Sequence, residues 1–374
     1  MKKKIIVLTE FFDPSHGGVE RRVFETYKRI DKTKYDVTIY STNFPKEEIE
    51  GVKYIKISDY TLDKPPNRST WKALKFVGKA IKIVDANQDA IIDLNGHLAM
   101  FAGSLITHNN LYATLHDIYD DEWPLMTTSK MSSFLGKRME KIICSRPFKK
   151  LIVVNKALKE KLISKYKQEE KNVNIIGNGI DMEYINSIKP AKKIRGKKEF
   201  VFVGRLAPQK NVVDILVACE VLVNNPSKSK NFVVHIIGDG QHKQKLLIGI
   251  KCMGLQDNII VHGALPNEEA LSIVKKCDAL IAPSLRESFG IMLLEAMGCG
   301  TVPITYINDG PITFINSRVN GILIGNKSTT TLADCMKLVI DNELPNMKKG
   351  MKETAEAYDW DNIVKQIEKV YEEK

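Results

Sequence analysis

The chain has 374 residues, 43% apolar and 27% charged, a balance that suits a soluble globular protein long enough for two cores. It has no stretch of the ~20 apolar residues that a membrane-spanning helix needs, and Cys144, Cys219, Cys252, Cys277, Cys299 and Cys335 form no C-x-x-C pair, so they read as reduced core residues and not as a disulfide frame or metal site. The net charge of +11 is uneven, with 32 Lys and Arg against 24 Asp and Glu in residues 1–190; that surplus suits a phosphorylated substrate or anionic lipid, whereas no finger, RNP or basic-zipper motif supports nucleic acid.

Short apolar runs alternate with amphipathic stretches, as βαβ units around parallel sheets require. Residues 4–9 predict a first strand; Ile5–Leu8 is too short for a secretion signal, so a cytoplasmic protein, peripheral on a membrane at most, is expected. Asp13-Pro14-Ser15-His16-Gly17-Gly18 then leads into a helix over 18–30. Glycines there let backbone N–H groups approach an anion, although a plain tight turn uses the same residues. Further strands are expected near 36–41, 52–57, 89–93, 111–115, 150–154 and 173–176, with helices near 70–84, 97–106, 134–143 and 156–166.

The helix 70–84 lines Trp71, Leu74 and Ile81 along one side and Lys72, Lys75, Lys79 and Lys82 along the next. It either packs on its sheet with a wet lysine face or touches an anionic membrane. His116-Asp117 follows the strand 111–115, well placed for a ligand crevice, with Asp117 able to orient the imidazole. Asn178-Gly179-Ile180-Asp181 reads as a turn closing the last strand of the first half. Ile185 to Lys198, with Pro190 and a basic cluster, reads as a linker.

A second alternating set follows, with strands near 199–203, 232–237, 258–262, 278–282, 302–304 and 322–324. Arg205 and Lys210 flank the first turn of this set, where an arginine fork and a lysine point charge would neutralise a diphosphate. The segment Glu287-Ser-Phe-Gly-Ile-Met-Leu-Leu-Glu295 holds two glutamates eight positions apart. With Ser288 as N-cap, Glu295 falls about two turns into an apolar helix, where an unpartnered carboxylate is costly. Ribose hydroxyls would satisfy it, and N–H groups near Ser288, Phe289 and Gly290 would hold phosphate. Solvated glutamates on an amphipathic helix are the plain alternative. Cys299 reads as small packing at the helix end. The stripe Ile363, Ile367, Val370, Tyr371 predicts a terminal helix. Asp359-Trp360-Asp361 has the D-x-D spacing of a metal motif, but it precedes that helix, where an N-cap is the expected role.

These motifs together resemble the retaining glycosyltransferases of family GT4. The E-x7-E segment with its tail Gly298-Cys-Gly-Thr-Val-Pro303, Gly204-Arg205-Leu206 with Lys210-Asn211, Ile237-Gly238-Asp239-Gly240, Val261-His262-Gly263, Asn178-Gly-Ile-Asp181 and the Gly17-Gly18 turn carry the likeness over nearly the whole chain. The resemblance implies an α/β protein of GT-B fold: two Rossmann-like doubly wound domains (1–190 and 199–357) facing a cleft, and a C-terminal helix (358–374) crossing back to the first. It implies a nucleotide-diphosphate sugar donor and a glycan or lipid-linked acceptor, with no metal or other cofactor. It assigns donor binding to Gly17, Gly18, Arg205, Lys210, Glu287, Phe289, Gly290, Ile291 and Glu295, with Glu295 on the ribose and Glu287 on a sugar hydroxyl. Glu287, Arg205, Lys210 and His116 carry the catalytic roles, His116 beside the sugar or acceptor. Asn308-Asp-Gly-Pro-Ile departs from the family's Gly-Gly-x-x-Glu loop, so sugar identity does not carry over. A sugar-nucleotide epimerase, a phosphorylase or a non-catalytic partner subunit would share the architecture.

Overall fold

Strands of a parallel sheet are covered on both faces and must be apolar at nearly every position, and the chain does this twice. The computed structural model describes residues 2–14, 17–63, 68–127, 129–224 and 231–373. They divide into two units, Met1–Asn178 with Trp360–Lys374, and Gly179–Asp359.

The first unit holds β1 (Lys3–Thr9), β2 (Tyr35–Ser41), β3 (Val52–Lys56), β4 (Ile91–Asn95), β5 (Leu111–Leu115), β6 (Lys150–Val153) and β7 (Val173–Ile175). They form one parallel sheet in the order β3-β2-β1-β4-β5-β6-β7. β4 and β5 are buried throughout, as central strands should be. The helices are α1 (Gly18–Arg29), α2 (Thr70–Asp85), α3 (His97–Ser104), α4 (Trp123–Met126), α5 (Lys130–Ser145) and α6 (Lys156–Ser164). Ser129 and Asn155 cap α5 and α6 by accepting from Ser132 N and Leu158 N, each satisfying an orphan amide of the first turn.

The second unit holds β8 (Lys198–Val203), β9 (Phe232–Ile237), β10 (Ile259–Gly263), β11 (Ala279–Ala282), β12 (Val302–Tyr306) and β13 (Ile322–Ile324), ordered β10-β9-β8-β11-β12-β13 and all parallel. Its helices are α7 (Met182–Ser187), α8 (Val213–Val223), α9 (Lys243–Cys252), α10 (Asn267–Lys276), α11 (Ile291–Gly298), α12 (Thr329–Ile340) and α13 (Lys348–Ala357). The final helix α14 (Trp360–Glu372) returns to the first unit and packs on α1. Its stripe Ile363, Ile367, Val370 and Tyr371 is buried, together with Trp360. The Tyr371 hydroxyl lies 3.0 Å from that of Tyr27, which donates to Asp93 Oδ2 at 2.6 Å.

The unit boundary lies at 178/179 and not at 190, and the expected linker begins as the helix α7. The reason is local bonding. Asp181 caps α7 by accepting from Tyr184 N. Ile180 N donates to Tyr358 O, and Met182 N to Asp359 Oδ2. Ser272 Oγ and Lys275 Nζ then hold the carbonyls of Lys189 and Ile188. Residues 179–191 are thereby stitched to the second unit. Asp359 faces α7, whereas Asp361 pairs with Arg29 of the first unit, so the two acids do not converge. Cys144, Cys219, Cys277 and Cys335 are buried as expected, but Cys252 is exposed because it ends α9 on its outer side.

Candidate functional site

In an open parallel sheet the ligand crevice lies at the carboxyl ends of the strands, where the strand order reverses. In the second unit the chain runs β8, β9, β10 toward one edge, then returns to β11 beside β8 and continues to the other edge. The switch point therefore falls between the turn after β8 and the turn after β11, which carry Arg205 with Lys210 and Glu287 with Ser288.

These two turns are joined. Lys210 Nζ lies 2.5 Å from Glu287 Oε2, with the side chains only 19% and 12% exposed. Gln209 O also accepts from Leu285 N at 2.9 Å. Arg205 is exposed on the rim, while Leu206 beside it is buried and bonded to Asp239 O. The β8 turn needs Gly238 as its neighbour: a Cβ there would stand 1.9 Å from Gly204 O. The glycine of the Ile237-Gly238-Asp239-Gly240 turn is thus a packing requirement that holds the Arg205 loop close.

Gly290, not Ser288, is the N-cap of α11, at φ 91° and ψ 56° and with no side-chain capping bond. This left-handed turn curls the loop onto itself, and a Cβ on Gly290 would meet Leu293 and Glu287 at 2.9 and 3.2 Å. The helix starts at Ile291, so Glu295 stands a little more than one turn in, not two. Glu295 is half-buried. The amides of Ile291 and Met292 begin the helix and have no intrahelical acceptor. Phe289 is buried against Phe314 and Tyr358, at ring distances of 5.3 and 6.0 Å, so its backbone alone is available to a ligand. Cys299, one turn beyond Glu295, is pushed up to about 12 by burial and then by the Glu295 charge, which keeps it a thiol.

Two anchors of this site escape sequence reasoning. Gly310 N donates to Glu287 O at 3.0 Å, and a Cβ on Gly310 would lie 2.4 Å from Phe289 N. Asn308 Nδ2 donates to Ser284 O at 2.8 Å. The divergent Asn308–Ile312 loop therefore braces the Glu287 turn from the β12 side. The sequence shows this loop only as a departure from the family's Gly-Gly-x-x-Glu pattern after a strand, and not as a brace.

In the first unit the reversal falls between β1 and β4. Gly17 is extended (φ 170°) and precedes α1, which Gly18 opens; both are exposed. Ser15 and His16 lie outside the described residues. Glu10, immediately after β1, is buried, accepts from Leu98 N at 2.6 Å and pairs with Arg68 at 2.5 Å. Its signal was its place directly after the β1 run. Arg22 is buried too, its Nη1 donating to the carbonyls of Ile176 and Gly177 and to Asn178 Oδ1. Asn178 thus anchors the arginine at the unit's end. Asp117 Oδ1 accepts from Ile118 N.

His116 follows β5, its Nε2 buried with no hydrogen-bond partner. Burial, then the charges of Arg22 and His97, hold its pKa at about 3, well below the usual 6.5. The imidazole is neutral at ordinary pH, fit to exchange a hydrogen bond and not to supply positive charge. The unfolded chain takes up the proton first, so wild-type stability is whole above about 6.5 and falls as pH drops toward 3. His116→Gln is expected to lack this component: wild type should lose roughly 1.4 kcal/mol per pH unit relative to the variant across that window. Denaturant melts of both proteins across pH measure it; a constant difference would refute the buried neutral imidazole.

Among the described residues, no three His, Cys, Asp or Glu side chains group as metal ligands do, and no helix is long and apolar enough to cross a membrane.

Two family profiles tile the chain: Glycosyltransferase Family 4 over residues 16–184 and Glycosyl transferases group 1 over 185–358. An uncharacterized glycosyltransferase of Methanocaldococcus jannaschii is 26% identical, covering 99% of this chain and 98% of that protein. The GPI3 subunit of phosphatidylinositol N-acetylglucosaminyltransferase from Saccharomyces cerevisiae is 22% identical over 98% of this chain and 82% of its own. Among solved structures, Anabaena HepE in complex with UDP superposes with a TM-score of 0.77 at 17% identity, covering 99% of each chain.

Proposed function

Because the chain belongs to the group 1, family 4 glycosyltransferases, we propose that it is a retaining enzyme that moves a sugar from a UDP- or GDP-linked donor to a glycan or lipid-linked acceptor. The observation that carries this reading is the Lys210–Glu287 pair, which couples the two switch-point turns beside the start of α11. HepE, of the same fold, has been crystallised with UDP and with UDP-glucose, and the yeast relative is named for transfer to phosphatidylinositol.

In this reading Arg205, Lys210 and the first amides of α11 bind the diphosphate, the amides aided by the positive end of the helix. Glu295 takes the ribose hydroxyls and Glu287 a sugar hydroxyl. Negative charge grows on the leaving β-phosphate as the glycosidic bond breaks, so fixed cations stabilise the transition state more than the ground state. That electrostatic role needs no metal ion. Retention requires attack on the face the diphosphate leaves, with a leaving-phosphate oxygen taking the acceptor proton. Gly17, Gly18 and His116 border the sugar and acceptor, and neutral His116 hydrogen-bonds a hydroxyl there. We place the enzyme in the cytoplasm, peripheral on an anionic membrane face.

Calorimetry of UDP, GDP and ADP with the metal-free protein tests the reading. Selective binding of one diphosphate is expected, followed by transfer from the matching sugar donor; failure of all three to bind would overturn the donor assignment.

A further inference from the structure

A helix covering a sheet ordinarily turns its apolar stripe inward and its charges outward. Two helices of the first unit depart from this at the same end. α2 packs through Phe76, Val77, Ala80 and Val84 and leaves Trp71 67% and Leu74 59% exposed. α5 begins with a small inward face, Ser133 and Gly136, and leaves Met131, Phe134 and Leu135 exposed at 68%, 55% and 52%. All five apolar side chains lie in the first two turns of their helices. Each helix follows a strand of one parallel sheet and so starts at its carboxyl edge, and α3 lies between them and packs on both. The five therefore share one end of one face.

The charge that the two helices themselves expose around these turns is cationic. Lys75, Lys79 and Lys82 are exposed on α2, and Lys130, Lys137, Arg138 and Lys141 on α5. The two helices contain only two acids. Asp85 is the last residue of α2, far from the cluster, and Glu140 is buried, accepting from the amides of Tyr119 and Asp120. Asp63 and Asp121 reach in from adjoining loops to pair with Lys72 and Lys137; among the described residues no acid of either helix pairs with the remaining cations. Two cations rest over the exposed aromatic rings, Lys75 Nζ 4.8 Å from Trp71 and the Arg138 guanidinium 5.2 Å from Phe134. Isolated surface apolar residues are ordinary. Five exposed apolar side chains at one end of one face, two of them aromatic, with long cationic side chains on the same helices, have the composition of an interfacial membrane face.

We propose that the N-terminal turns of α2 and α5 form a docking face for an anionic lipid bilayer. Trp71, Leu74, Met131, Phe134 and Leu135 enter the boundary between headgroups and acyl chains, and the lysines and Arg138 meet the lipid phosphates. Each cation near an anionic surface adds to the attraction, which salt weakens within a Debye length. The proposal rests on the peripheral placement given above and stands without the donor assignment.

The test is flotation of the full chain with phosphatidylcholine vesicles, alone or mixed with phosphatidylglycerol. Partition should be roughly tenfold greater into the anionic vesicles and fall as salt rises. Trp71→Glu combined with Phe134→Glu should remove about nine-tenths of that binding, while the melting temperature and UDP or GDP binding stay at wild-type level. Equal partition into both vesicle types, no partition by folded wild type, or full binding by the double variant would overturn the proposal. So would light scattering that shows a wild-type dimer broken by Phe134→Glu, which would assign the face to a second copy. A wild type that floats but binds no nucleoside diphosphate would instead count against the donor assignment alone.

Discussion

Lys210→Ala is expected to lower turnover by more than tenfold, read as sugar transfer or as slow donor hydrolysis. Each tenfold loss corresponds to about 1.4 kcal/mol of transition-state stabilisation, well within what a fixed cation supplies to a leaving phosphate. The geometry complicates the simple experiment. Lys210 is paired with Glu287 at 2.5 Å, so its removal also strands a mostly buried carboxylate. Stranding a deeply buried charge costs 3–5 kcal/mol; here residual exposure moderates it to about 1–2 kcal/mol. A loss of activity could then come from a disturbed Glu287 turn. Lys210→Ala combined with Glu287→Gln, measured beside Glu287→Gln alone, separates the causes, since the double variant removes both charges of the pair and the single variant reports what Glu287 contributes by itself. Stability should return in the double variant, while its turnover stays more than tenfold below that of Glu287→Gln. Recovery of turnover along with stability would show that Lys210 serves only to hold the loop, and wild-type rates in the single variant would remove it from the mechanism.

The strands were legible because parallel sheets impose one simple requirement. Positions such as Ile91–Asn95 and Phe232–Ile237 are buried on both faces, and an apolar run records that directly. Helix starts were less legible. α5 begins at Lys130, four residues before the expected start, because its first turn exposes Met131 and is defined by the Ser129 cap and not by a buried stripe. α7 was hidden by Pro190 and the basic cluster, since its stability comes from distant partners, Tyr358 and Asp359. The candidate site divides in the same way. Arg205, Lys210, Glu287 and Glu295 carry recognisable chemistry in recognisable turns. What holds them is a matter of long-range backbone contact: the Lys210–Glu287 pair spans 77 positions, and Gly310 acts by lacking a Cβ where Phe289 passes. Arg22 is the extreme case. A charged residue in the first helix looks solvated in sequence, yet it is buried against carbonyls more than 150 residues away.

Glu295→Ala should weaken nucleoside diphosphate binding by roughly 10- to 100-fold, the range set by charge-assisted hydrogen bonds of about 1.5–3 kcal/mol. The argument runs through position. Glu295 lies on α11 between buried Leu294 and Ala296, itself half-buried, and its carbonyl accepts from Cys299 N. Its helix opens at the switch-point turn that carries Glu287. Loss of affinity alone would not identify the partner, because a displaced helix also binds poorly. Deoxynucleotides supply the second axis. If the carboxylate holds the ribose, wild type should bind 2′-deoxy-UDP (or the 2′-deoxy form of whichever diphosphate it selects) several-fold more weakly than the ribonucleotide. The Glu295→Ala protein should bind the two alike. Discrimination that persists in the variant would place the ribose contact elsewhere and leave Glu295 a structural residue of α11. Loss of discrimination, with an unchanged melting temperature, would tie the carboxylate to the sugar hydroxyls and orient the donor with its base on the far side of the ribose from Lys210.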